Sequence, residues 1–180
     1  MKLKLCEYIL RVFGWRIKGF TPVEKKYIIV SAPHTSYWDF IIGRIAGCAL
    51  GIKPHFFIKK EFFVFPFGLL LKSLGGIPVD RSHAHKLIKD VVSLFQEKDS
   101  FVLVITPEGT RQRVSRWKAG FYYIAEHADV PIVLTAVDYK YKTITISKTF
   151  NVYKDLETTM DLVKQFFKDV NPKFPEQFTI

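Results

Sequence analysis

Cysteine is almost missing: Cys6 and Cys48 are the only two in 180 residues, and neither has metal-ligand spacing. Both sit among apolar neighbours, so the sequence reads them as reduced core or interface residues of a protein in a reducing compartment. A membrane-spanning run is also missing. The greasiest stretch, Phe62 to Leu71, is ten residues long and contains Pro66 and Gly68, whereas a spanning helix needs about 20 apolar residues. The first 18 residues carry charges throughout and have no small-residue cleavage pattern, so no secretory leader is read there. No G-x-S-x-G elbow occurs, which argues against a covalent serine hydrolase. Internal repeats, low-complexity tracts and linker-like segments are absent too. Carboxylates are in deficit, 17 against 27 Lys and Arg, for a formal charge of +10.

What is present is a greasy globular composition, 48% hydrophobic with 17 Phe and 8 Tyr, enough for one domain over 1–180 with its own core. The positive charge points to anionic partners: nucleic acid, an anionic bilayer or phosphorylated substrates. The Lys and Arg residues are dispersed and fit no nucleic-acid-binding module, which disfavours the first. Around 2–15, Leu5, Ile9, Val12 and Phe13 share one helical face away from Lys2, Lys4 and Arg11. That is either an interfacial amphipathic helix or a core-packed one.

Strand-like and helix-like patterns then alternate. Tyr27 to Ser31, His55 to Ile58, Ile77 to Val79, Phe101 to Ile105, Val130 to Val137 and Thr143 to Ile146 read as strands. Helical periodicity runs from near Ser36 to Leu50, with Ser36-x-x-Asp39 resembling a capping box. It recurs over Ala84 to Gln96, Gly120 to Ala128 and Thr158 to Val170. The tail from Asn171 reads as Pro-rich and loosely held. This predicts an α/β fold with a mixed, largely parallel central sheet flanked by helices. The Phe62 to Leu71 stretch is core, acyl-chain groove or membrane-contact surface.

Ligands of such sheets collect beyond the carboxyl ends of the strands. His34, Lys59, Arg81 and the loop from Glu108 to Arg111 all follow predicted strands. If Asp39 accepts a hydrogen bond from one ring nitrogen of His34, the other nitrogen is left to take a proton from an incoming hydroxyl. No protein nucleophile is then needed. Gly109 permits a tight backbone turn. Arg111 offers a planar fork for phosphate, and Glu108 either fixes that geometry or bonds a substrate hydroxyl. Lys59, Arg81, Arg111 and Lys118 together supply cations for a phosphomonoester, though each alone reads equally as a solvated surface charge.

Four ordered blocks carry a family resemblance: His34-Thr-Ser-Tyr-Trp-Asp39, Gly75-Gly-Ile-Pro-Val-Asp-Arg81, Pro107-Glu-Gly-Thr-Arg111 and Val130-Pro-Ile-Val-Leu134. Lys59-Lys-x-x-Phe63 and Lys118-x-Gly120 fit as well. With these the chain, over about Ile28 to Val137, resembles the glycerophospholipid acyltransferases, especially bacterial 1-acyl-glycerol-3-phosphate (lysophosphatidic acid) acyltransferases. Two positions depart from the pattern, Thr106 in place of Phe and Leu134 in place of Pro.

The resemblance implies a glycerol-3-phosphate acyltransferase-like fold and an enzyme that moves a fatty acyl group from an acyl thioester to the free hydroxyl of a lysophospholipid. His34 would be the general base and Asp39 its partner. Lys59, Arg81, Glu108, Gly109, Thr110, Arg111 and Lys118 would bind the acceptor's glycerol-phosphate end. It implies no metal and no cofactor beyond a co-substrate, acyl-coenzyme A or acyl carrier protein. It also implies peripheral attachment to the cytoplasmic face of a bacterial inner membrane. The alternatives are another lysolipid acceptor and a catalytically silent lipid-binding protein.

Overall fold

The computed structural model describes residues 2–80, 84–152 and 155–180; Arg81, one of the candidate cations, lies outside them. Seven strands form one sheet in the order β1-β7-β6-β2-β5-β3-β4. They are β1 (Arg16–Gly19), β2 (Lys26–Ala32), β3 (His55–Lys59), β4 (Gly76–Val79), β5 (Phe101–Ile105), β6 (Ile132–Asp138) and β7 (Thr143–Ile146). Every neighbouring pair is parallel except β6 with β7. The fold class is therefore as the alternating pattern predicts. The helices are α1 (Lys2–Val12), α2 (Tyr37–Ala49), α3 (Phe67–Ser73), α4 (Ala84–Glu97), α5 (Gly120–Ala128) and α6 (Leu156–Phe167).

The central strands are almost wholly apolar because both faces are covered. On one face Ile28, Val30, Leu103, Ile132 and Leu134 meet Val91 and Phe95 of α4, Phe121 and Ile124 of α5, and Val163 and Phe167 of α6. On the other, Tyr27, Val102, Val133 and Ile146 form a smaller cluster with Leu50 and Ile52. Leu10 and Trp15 pack there against Ile42, Ala46, Val137 and Ile144. This second face is thinner and leaves a groove between α2 and the sheet.

Three expectations change. Cys6 and Cys48 form a disulfide and are not free thiols. The packing of α1 along α2 brings their Cα atoms to 6.0 Å, within bridging distance. A separation of 42 residues leaves no spacing signature for this pair in the sequence, and the inference from free thiols to a reducing compartment falls with it. The tail from residue 171 is not loose. Asn171 bonds Asp138 through its amide and Tyr139 through its carbonyl, and Phe178 packs near Trp117. Finally, β1 extends the sheet beyond β7 where no strand was predicted, and the N-terminal helix stops at Val12, short of residue 15.

The N-terminal helix is packed on the core by one side only. Leu10 is buried against α2, while Leu5, Tyr8, Val12 and Phe13 remain exposed. The Phe62 to Leu71 stretch is not core: Phe62, Val64, Phe65, Phe67, Leu69 and Leu70 are all exposed. Gly68 is the exception, since a Cβ there would sit 2.7 Å from the Phe63 carbonyl oxygen. It lets α3 turn tightly against the preceding loop.

Candidate active site

Because β2, β3, β4 and β5 are mutually parallel neighbours, their carboxyl ends share one edge. His34 leaves β2 on the loop into α2. Ser36 caps that helix, its hydroxyl accepting from the Trp38 N–H, and Asp39 completes the capping box. One Asp39 oxygen, Oδ2, accepts the N–H groups of Thr35 and Ser36, both at 2.8 Å. The same oxygen lies 3.4 Å from His34 Nδ1, longer than a closed hydrogen bond. Its Oδ1 accepts the Tyr139 hydroxyl at 2.6 Å. Burial, and then the bond to Asp39, push the Tyr139 phenol far above its ordinary value, so it stays a donor.

The His34 backbone is fixed from the other side. Its N–H donates to Glu108 Oε1 at 2.8 Å. Glu108 is 4% exposed, and its Oε2 has no hydrogen-bond partner among the described residues. Burial raises its pKa, because a carboxylate loses more hydration than a carboxylic acid does. Glu108 thus ties the β5–α5 loop to the His34 corner.

The rest of the β5–α5 loop faces the crevice. Gly109 has φ +66°, and a Cβ there would stand 3.0 Å from Lys118 Nζ; glycine is what lets the lysine lie across the turn. The Lys118 N–H donates to the Pro107 carbonyl at 2.8 Å. Thr110 is exposed, its hydroxyl accepting the Gln112 N–H. The Arg111 guanidinium lies 3.6 Å over the Tyr37 ring, a stacking that holds the fork in place. Lys59, exposed at the end of β3, lines the same cavity.

That cavity encloses about 1770 Å³. His34, Lys59, Arg111 and Lys118 line it, together with apolar residues that include Ile29, Phe40 and Phe56 on the α2 side and Leu87, Ile88 and Val92 of α4. Sequence reasoning missed three residues here. Tyr139 is 100 residues from Asp39 and gave no local signal. Tyr37 lies inside the corner, but its partner Arg111 is remote. Arg44 was findable: helical spacing sets it on the cavity side with Phe40 and Gly47. It donates to the Pro54 carbonyl at 3.3 Å, and burial lowers its pKa.

Comparison with known proteins gives two findings. The model of the family described as Acyltransferase matches residues 15–137. A solved structure, the 1-acyl-sn-glycerophosphate (LPA) acyltransferase PlsC from Thermotoga maritima, superposes with a TM-score of 0.62 at 14% identity. The match covers 93% of this chain and 77% of that one. At that identity the likeness concerns the fold. No curated protein matches the chain significantly.

Proposed function

From the premise that the chain belongs to the acyltransferase family, we propose that it moves a fatty acyl group from an acyl thioester to the free hydroxyl of a lysophospholipid, 1-acyl-glycerol-3-phosphate, giving phosphatidic acid. The observation that supports this reading is an Asp39 carboxylate 3.4 Å from the His34 imidazole, in a cavity lined by Lys59, Arg111 and Lys118 and by many apolar side chains.

With Nδ1 the ring nitrogen near Asp39, at 3.4 Å, we assign proton uptake to Nε2. As the hydroxyl oxygen attacks the thioester carbonyl, its proton passes to Nε2. Asp39 stabilises the imidazolium that results. Collapse of the tetrahedral intermediate breaks the C–S bond, and the thiolate leaves as a thiol with the proton from His34. Arg111, Lys118 and Lys59 neutralise the acceptor's phosphate, joined by Arg81 from the β4–α4 connection. Thr110 and the Gly109 turn shape the loop around it. The groove beside α2 takes the acyl chain. The thioester carrier is coenzyme A or acyl carrier protein.

The acceptor lives in a membrane. No helix among the described residues is long and apolar enough to cross one, and we take attachment to be peripheral. The exposed apolar residues of 62–70 and of α1, together with the charge of +10, suit an anionic bilayer. Acyl thioesters are made in the cytoplasm, which places the enzyme on the cytoplasmic face of a bacterial inner membrane. Disulfides are rare in that compartment, so the Cys6–Cys48 bridge bears directly on the location. If the bridge persists in cells, intact mass will be two hydrogens below the reduced value without reductant, and the cytoplasmic assignment fails.

The decisive experiment supplies purified protein with 1-acyl-glycerol-3-phosphate in anionic vesicles and a labelled acyl-coenzyme A or acyl carrier protein. Labelled phosphatidic acid is expected by mass spectrometry. Product from other lysolipids alone would move the acceptor assignment. No product from any acceptor would favour a silent lipid-binding protein.

A further inference from the structure

The residues after α6 lie beyond the family-matched segment, yet they touch both loops of the site. Asn171 begins the contact: its N–H and side-chain amide donate to Asp138 Oδ2, and its carbonyl accepts the Tyr139 N–H. The Phe174 N–H then donates to the Thr35 hydroxyl at 3.3 Å. A single 3-10 turn, Pro175–Gln177, follows. The Gln177 side-chain amide places one terminal atom 3.0 Å from the Thr35 carbonyl oxygen and 2.6 Å from the Arg111 carbonyl oxygen; two acceptors call for the nitrogen there, so the amide is assigned with its N–H groups donating to both. Thr179 closes the contact, accepting from Arg113 Nε at its hydroxyl and from Trp117 Nε1 at its carbonyl.

We infer that residues 171–180 are a positioning strap, and that the Gln177 amide holds the His34 corner and the Arg111 loop in register for acyl transfer. This rests on the reaction proposed above. Thr35 and Arg111 lie in loops, outside any helix or strand. A primary amide carries two N–H donors on one nitrogen, so one side chain serves both carbonyls and fixes their separation. Thr35 adjoins the candidate base, and Arg111 is a candidate phosphate ligand. Their spacing therefore sets where the acceptor hydroxyl falls relative to His34 Nε2. A displacement of about 1 Å at such a distance costs up to about 100-fold in rate. A carboxylate in place of the amide sets acceptor against acceptor and pushes the loops apart.

The test uses Gln177→Glu and Gln177→Asn in the full chain. Three readouts are taken: kcat and KM with 1-acyl-glycerol-3-phosphate and acyl-coenzyme A, thermal melting, and the rate of His34 carbethoxylation by diethyl pyrocarbonate, mapped by mass spectrometry without substrate. Gln177→Glu should lower kcat by about tenfold or more with KM within about threefold. Melting should remain cooperative, and the His34 modification rate should change at least about threefold as its corner shifts. Gln177→Asn, a shorter donor, should fall between. An unchanged kcat and His34 rate in Gln177→Glu overturns the proposal, as does a raised KM with kcat intact. If the wild-type protein does not acylate this lysolipid, the acceptor assignment fails, and the His34 rate alone decides the strap. If Gln177→Glu does not fold, the same criteria apply to Gln177→Asn and Gln177→Ala.

Discussion

In the corner between β2 and α2, Thr35, Ser36 and Asp39 are buried although all three are polar. In the segment between β3 and β4, Phe62, Phe65, Phe67 and Leu69 are exposed although all four are apolar. The corner is stable because nearly every buried polar atom finds a partner: both Asp39 oxygens are bonded, and the Ser36 hydroxyl caps the helix. The segment has no such internal solution. Phe65 is 86% exposed, so whatever removes its ring from water must come from outside the chain. One region satisfies its polar groups internally, and the other leaves its apolar groups in water. That division suits the reaction proposed above.

The largest effect should come from the corner. On the proposed mechanism, Asp39→Asn removes the charge that would stabilise the imidazolium, and His34→Ala removes the base. Each should lower kcat by about 1000-fold, measured as labelled phosphatidic acid per active enzyme, with a cooperative melt retained in His34→Ala. Activity within tenfold of wild type would detach the corner from the chemistry.

The exposed segment comes next. Phe65→Asp with Phe67→Asp should weaken binding to anionic vesicles by about 100-fold, since burying each ring is worth about 1.5–3 kcal/mol. Melting temperature should barely move, because neither ring packs into the core. Activity on short-chain, water-soluble acceptors should survive. A cosedimentation assay that finds unchanged binding would reassign the surface.

Local signals carried part of this. Ser36 and Asp39 were readable as a helix start because a capping box spans only four residues. The strand Phe101–Ile105 was readable as one apolar run. The contacts that organise the site were not, because they join distant residues: His34 to Glu108 across 74 positions, Asp39 to Tyr139 across 100, Cys6 to Cys48 across 42. Phe62 to Leu71 was ambiguous for a different reason. Apolar composition is the same whether a stretch is core or surface, and only packing separates the two. Strand β1, Arg-Ile-Lys-Gly, escaped because an exposed four-residue edge strand carries no alternation worth reading.

Tyr139→Phe should act more mildly, about fivefold on kcat/KM. It removes one hydrogen bond to a carboxylate, worth about 1.5–3 kcal/mol when fully expressed, from an aspartate still held by two amides. An unchanged kcat/KM in the variant would make Tyr139 a packing residue only.

Glu108→Gln should have the smallest effect, and its sign is the informative part. The buried Glu108 carboxyl has its pKa raised by lost hydration, so the folded protein holds that proton more tightly than the unfolded chain does. The stability it lends is full below the ordinary value of 4.5 and declines as pH rises through the raised folded value. Glutamine keeps a carbonyl oxygen to accept the His34 N–H and carries no ionisable proton. The variant should therefore gain on the wild type as pH climbs above 4.5, with the difference in melting temperature levelling once Glu108 is fully ionised. A difference that is flat from pH 4 to 8 would mean that Glu108 ionises as freely in the fold as in the open chain, and its clasp on the corner would then be that of an ordinary charged acceptor.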